Sequence, residues 1–88
     1  MVLDQIGEHE EASQVLKRVI YLDPDFALAH FYQGLLYQRT KKRFDAERCF
    51  RNAEAILGRL GDDTVLENGD GMSVRELKLL IQTHREIL

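Results

Sequence analysis

The chain of 88 residues carries 12 Lys and Arg against 15 Asp and Glu, a formal charge of −3, with 44% hydrophobic and 31% charged residues. That balance reads as a soluble globular protein and excludes both a disordered chain and a membrane-embedded one, while the negative charge offers no general attraction to phosphate backbones, so no nucleic acid is expected as a partner. A single domain of this size hides only roughly 60 to 70% of its unfolded surface, which leaves a thin core.

The opening stretch MVLDQIGEHEE lacks the basic-then-apolar layout of a signal peptide. No apolar run approaches the roughly 20 residues of a membrane span. No membrane partner is therefore expected, and the expected location is cytoplasmic. The single cysteine, Cys49, has no mate for an internal disulfide, in keeping with a reducing compartment.

From Glu8 to Leu22 the apolar residues Ala12, Val15, Leu16, Val19 and Ile20 recur at three- and four-residue steps, the signature of one helix face. The only proline, Pro24, follows in YLDPDF. Its fixed φ and missing donor suit the first position of a helix, so the spacing predicts a second helix over Pro24 to Arg39 with Asp23 as N-cap. Phe26, Leu28, Ala29, Phe31, Tyr32, Leu35, Leu36 and Tyr37 spread around more than one face of it, and a helix of that kind needs neighbours on several sides.

A basic turn, RTKKR, leads to a third predicted helix over Arg43 to Arg59, with Phe44, Ala46, Cys49, Phe50, Ala53, Ile56 and Leu57 in helical register and Leu60 just beyond. Residues 61–73 open with GDDTVLENGDGM, in which three of the six glycines and four acidic residues fall within twelve positions, so an acidic, Gly-rich loop is expected. Ser73 with Glu76 three residues on forms a capping-box pattern, and Val74, Leu77, Leu80, Ile81, His84 and Leu88 then line one side of a last helix over 74–88. The fold class expected is all-α, with four helices and no strands.

Self-comparison adds a repeat. A shift of 34 residues lays Glu11 on Asp45, Ala12 on Ala46, Leu16 on Phe50, Lys17 on Arg51 and Leu22 on Ile56, and thirty-four residues is the period of one helix–turn–helix repeat class. HFYQGLLY supplies Gly34 and Tyr37, DAERCFRNA supplies Ala46, Phe50 and Ala53, and LDPD closes the preceding unit with Pro24. On these residues the chain resembles the tetratricopeptide (TPR) repeat over residues 1–60, as a partial repeat at 1–24 and a complete one at 27–60. Gln33 stands where that pattern usually has leucine and Gly58 where it usually has proline. The resemblance implies helical hairpins of a superhelix fragment with a C-terminal capping helix.

The combination of YLDPDFALAHF and RCFRNAEAIL with DGMSVRELKLLI further resembles the repeats at the C-terminus of CheR-type chemoreceptor methyltransferases. That resemblance implies a non-catalytic tail of a protein whose separate domain methylates receptor glutamates with S-adenosylmethionine. No glycine-rich strand-to-helix turn is present for a cofactor of that kind, so the chain is expected to be a fragment or truncated relative of the non-catalytic part, without enzyme activity and without a cofactor.

Candidate chemistry is sparse. His9, His30 and His84 supply no i, i+4 pair and no partner cysteines, so packing or surface roles outweigh a metal site. Cys49 with His30 has the types of a nucleophile and base, but Cys49 falls on an apolar stripe, where cysteine behaves as a small hydrophobe. Asp62, Asp63, Glu67 and Asp70 do not follow the ligand order of a calcium loop, and a solvated linker is the competing reading.

Binding is the better-supported class. The repeat resemblance implies a concave surface formed by first helices, facing a protein or peptide partner, with Leu28, Phe31, Leu35, Gln38 and Arg39 in the groove. Phe31 and Leu35 occupy places where some TPR domains hold the polar residues of a carboxylate clamp, so an apolar guest is expected instead. The last helix is one candidate guest and a terminal cap is the other reading. Because about three repeats are usually needed for stability, the open N-terminal face, including Leu3 and Ile6, is expected to pack against a second chain, giving a homo-oligomer. A self-assembling scaffold with no separate peptide ligand is the alternative to the interaction module.

Overall fold

The computed structural model of the protein describes residues 2–66 and 69–87, with side chains described over 10–66 and 69–86. Four helices follow in order: α1 (Val2–Leu22), α2 (Ala27–Arg39), α3 (Arg43–Leu57) and α4 (Val74–Ile87). No strand occurs among the described residues, and the architecture is the all-α, TPR-like helical repeat that the sequence predicts. Neighbours in the chain pack on one another: α1 on α2, α2 on α3, and α3 on α4.

α1 begins six residues ahead of the periodic stripe, since only Gly7 weakens the helix before Glu8 and no proline stops it. Its half-buried positions, Ala12, Ser13, Leu16, Val19 and Ile20, repeat at helical spacing, whereas Val15, on the edge of that stripe, is 59% exposed. The chain then turns. The Asp23 carbonyl accepts the Phe26 amide at 3.1 Å, so Pro24 occupies the second position of a β-turn, where its fixed φ is also suited. This corrects the expectation that Pro24 opens a helix with Asp23 as N-cap. α2 starts at Ala27, Phe26 holds the cap position in extended conformation, and no side chain caps it. A ring nitrogen of His30 lies 2.9 Å from the Pro24 carbonyl and pins the turn to the first helical turn of α2.

The hairpin of α2 and α3 is the centre of the molecule. Phe50, Ala46 and Ala53 of α3 are completely buried. Gly34 of α2 lies directly against the Phe50 ring: a Cβ at this position would stand 2.5 Å from Cε1 and 2.8 Å from Cδ1. The two helices therefore approach at a distance only glycine allows. Behind this contact the core closes with Leu57, Val74, Leu77 and Ile81, all at 0% exposure.

The expected capping box forms at the start of α4, where the Glu76 amide donates to Ser73 Oγ at 3.2 Å and the Ser73 amide donates to Glu76 Oε1 at 3.3 Å. The loop before it is tied by its backbone as well. Val74 donates to the Thr64 carbonyl at 2.9 Å and Leu66 to that of Met72 at 2.8 Å, with an isolated bridge pairing Val65 and Ser73. Asp70 and Gly71, at φ 52° and 85°, make the tight reversal that an Asp-Gly pair favours.

One buried polar group stands apart. Gln33 is 2% exposed, its amide nitrogen donates to Ser13 Oγ of α1 at 2.7 Å, and its Oε1 has no partner among the described residues. An unpaired buried oxygen of this kind costs on the order of 1–3 kcal/mol.

Two substitutions separate these effects. Gly34→Ala gains about 1 kcal/mol of helix propensity but forces the Phe50 ring to move, at about 2–3 kcal/mol for overpacking, so a net loss of about 1–2 kcal/mol is expected. A fall of the thermal midpoint by circular dichroism checks it, and an unchanged or higher midpoint refutes the close approach. Gln33→Leu removes the orphaned oxygen and should raise stability by about 1–2 kcal/mol, seen as a midpoint several degrees higher in the same assay.

Candidate functional site

The residues that the repeat frame assigns to a groove lie on α2, and the structure places them differently along its length. Leu28 and Phe31 are 3% and 5% exposed and belong to the core. Leu35 is half-buried against the same cluster, Gln38 is half-buried, and Arg39 is exposed. Leu28 and Phe31 therefore do not line an open groove. Leu28 lies against Gly69 of the loop before α4, and the element over Phe31 is α4 itself.

Three contacts hold it there. His84 stands edge-on to Phe31, with ring centroids 5.7 Å apart, and stacks on Phe50 at 6.4 Å and 25°. Phe31 and Phe50 are themselves 6.0 Å apart, so one histidine closes an aromatic cluster shared by three helices. Gln38 Nε2 donates to the His84 carbonyl at 2.9 Å, satisfying one of the acceptors left free in the last turn of α4. Arg85 reaches across to α3 and pairs with both Glu47 and Glu54. The hydrogen bonds to Glu47 and the charge of Glu54 push this guanidinium further up from a value already far above neutral.

Magnitudes decide what α4 is. Val74, Leu77 and Ile81 are fully buried, and at about 1.5–3 kcal/mol per aliphatic side chain their removal costs roughly 5–9 kcal/mol. That is comparable with the whole stability of a small domain. α4 is a structural cap of the repeat, not a loosely held guest.

The remaining candidates for chemistry serve packing. Cys49 is buried, and burial pushes its thiol up, with Arg48 opposing the shift, so it is not an activated thiolate at neutral pH. The His30 ring is engaged by the Pro24 carbonyl and His84 by the aromatic cluster. Among the described residues no group of three or more His, Cys, Asp or Glu gathers where a metal ion would be held, and no helix is long and apolar enough to cross a membrane. The side chains of His9, Leu3 and Ile6 lie outside the described residues, as does Glu67.

Surface apolar groups are present on α1, where Tyr21 and Leu22 are 85% and 81% exposed, and Phe44 at the start of α3 is 93% exposed. Open concavities lie among the described residues. One of about 210 Å³ lies between α1 and the end of α2, with Gln14 and Lys17 facing Tyr37 and Thr40. The larger, about 310 Å³, lies where the 23–26 turn meets the end of α3 and the 61–66 segment. Sequence reasoning passed over this second one, because Val65 and Leu66 form a short apolar pair within an otherwise acidic run; that pair was the available signal.

The family model of the TPR repeat matches residues 3–41 of the chain, a span that takes in nearly all of α1, the proline turn and all of α2. TPR repeats generally mediate protein–protein interaction. No curated protein and no solved structure matches the chain.

The charges on the loop give a pH test. Lys78 Nζ of α4 donates to Asp62 Oδ1 at 2.8 Å, and this hydrogen bond together with the lysine charge holds the Asp62 carboxyl below the usual aspartate range. With the folded value lowered, the stabilising contribution is present above the unfolded value and lost as pH falls through the folded one. A carboxyl-detected NMR titration should place Asp62 below an ordinary aspartate, and Lys78→Met should return it upward. An Asp62 that titrates normally in the parent chain refutes the tether.

Proposed function

We propose that the chain is a non-catalytic protein–protein interaction module, the TPR tail of a chemotaxis-type methyltransferase, which recruits or regulates and performs no reaction itself. The observation that carries the reading is the stack of α1, α2 and α3 with the TPR repeat match across its first two helices. The methyltransferase parentage rests on the likeness of DGMSVREL and its neighbours to that family's tail. The docking surface is the C-terminal end of α2, where Leu35 is half-buried and Arg39 exposed, beside the Gln38 whose side chain holds α4. A half-buried leucine beside an exposed arginine suits an extended partner with an apolar anchor and an acidic neighbour. The compartment proposed is the cytoplasm.

A second reading has its own support. α1 takes the role of a second helix in the repeat frame, and Val15, Tyr21 and Leu22 leave apolar surface on it uncovered. On that reading the chain is a self-assembling scaffold, with Leu3 and Ile6 extending the contact.

Light scattering after size exclusion across a wide concentration range separates the two. The module reading expects the 10.2 kDa monomer mass throughout, and a mass that rises with concentration favours the scaffold. Titration with chemoreceptor-derived cytoplasmic segments, read by fluorescence anisotropy, should then give binding that Leu35→Lys weakens by about tenfold or more, with helicity retained. Absence of any binding removes the chemotaxis assignment.

A further inference from the structure

The segment between α3 and α4 has the composition of a solvated linker, yet it walls the larger cavity. An open concavity of about 310 Å³ lies between Phe26 and Leu28 at the start of α2, Leu60 after α3 and Val65 of the loop, with the exposed carboxylates Asp23 and Asp25 also in its lining. The volume stands at the lower end for small-ligand sites, which suits a side chain better than a cofactor. Leu28 is buried beneath it, whereas Leu60 and Val65 remain 41% and 62% exposed. Apolar surface is thus presented to solvent within a concavity.

The charge around this surface is selective. Asp25 is paired with Arg59 at 2.9 Å. Asp62 and Asp63 are taken by Lys78 and Arg75 of α4. Asp23 has no cation within ion-pair distance among the described residues. It sits between the C-terminus of α1 and the N-terminus of α2, whose dipoles bring about half a charge each of opposite sign and offset one another. Of the two lining carboxylates, Asp23 is the one without an ion pair among the described residues.

We propose that this cavity binds an aliphatic cation, the side chain of a lysine or arginine presented by a protein partner. The methylenes pack on Phe26, Leu60 and Val65, and the cationic head meets Asp23. The proposal rests on the interaction-module reading and names what the partner carries, a basic residue at a place separate from the Leu35 surface.

The test uses the full chain and hexylammonium as probe, followed by amide NMR, with hexanoate and hexanol of the same length as controls. Hexylammonium should shift Leu28, Leu60 and Val65 saturably in the millimolar range, hexanoate should not, and Asp23→Asn should weaken the binding by about two- to fivefold, as for an exposed charge pair. No saturable shift, equal binding of all three probes, or an unchanged affinity in Asp23→Asn overturns the proposal. Because the probe is a small amine, such a failure leaves the module reading to be decided by its own scattering and receptor-segment measurements.

Discussion

The contact between Gly34 and the Phe50 ring sets the geometry on which the other helices depend. It brings α2 and α3 closer than any side chain would allow, and Ala46 and Ala53 keep the same seam narrow. With Phe50 fixed, Phe31 has a surface to tilt against and His84 a surface to stack on. The position of α4 therefore follows from a missing methyl group on a different helix. In a core this thin, few other contacts are available to take over if that one is lost.

A repeat fragment has an exposed end, and α4 is how this chain covers it. The helix contributes three of the five largest fully buried side chains, while at the rim Gln38 satisfies one carbonyl of its last turn and Arg85 pairs with two carboxylates of α3. The N-terminal half of α2 thus goes to the core, while its C-terminal end runs from half-buried to exposed.

Most of the helical framework was legible in the sequence. The apolar stripes located the helices, and Ser73 with Glu76 marked the start of α4, because these depend on spacing along one chain. The proline turn was less legible: fixed φ suits both the first position of a helix and the second of a β-turn, and only the Asp23 to Phe26 hydrogen bond chooses between them. Covering of Phe31 by His84 and of Leu28 by the loop at Gly69 was not legible at all, since the repeat frame places both on the concave side and says nothing of later segments that return across it. The cavity beside Val65 was hidden for the same reason, as its walls come from three separated segments.

The burial of Cys49 has an experimental consequence. It is the only cysteine of the chain, it sits 7% exposed on α3, and its thiol is held away from the reactive form. A reagent in solution can reach the sulfur only during excursions in which its cover lifts. The rate of alkylation in the native protein is therefore a clock for those excursions, with no label to introduce and no second thiol to confuse the count.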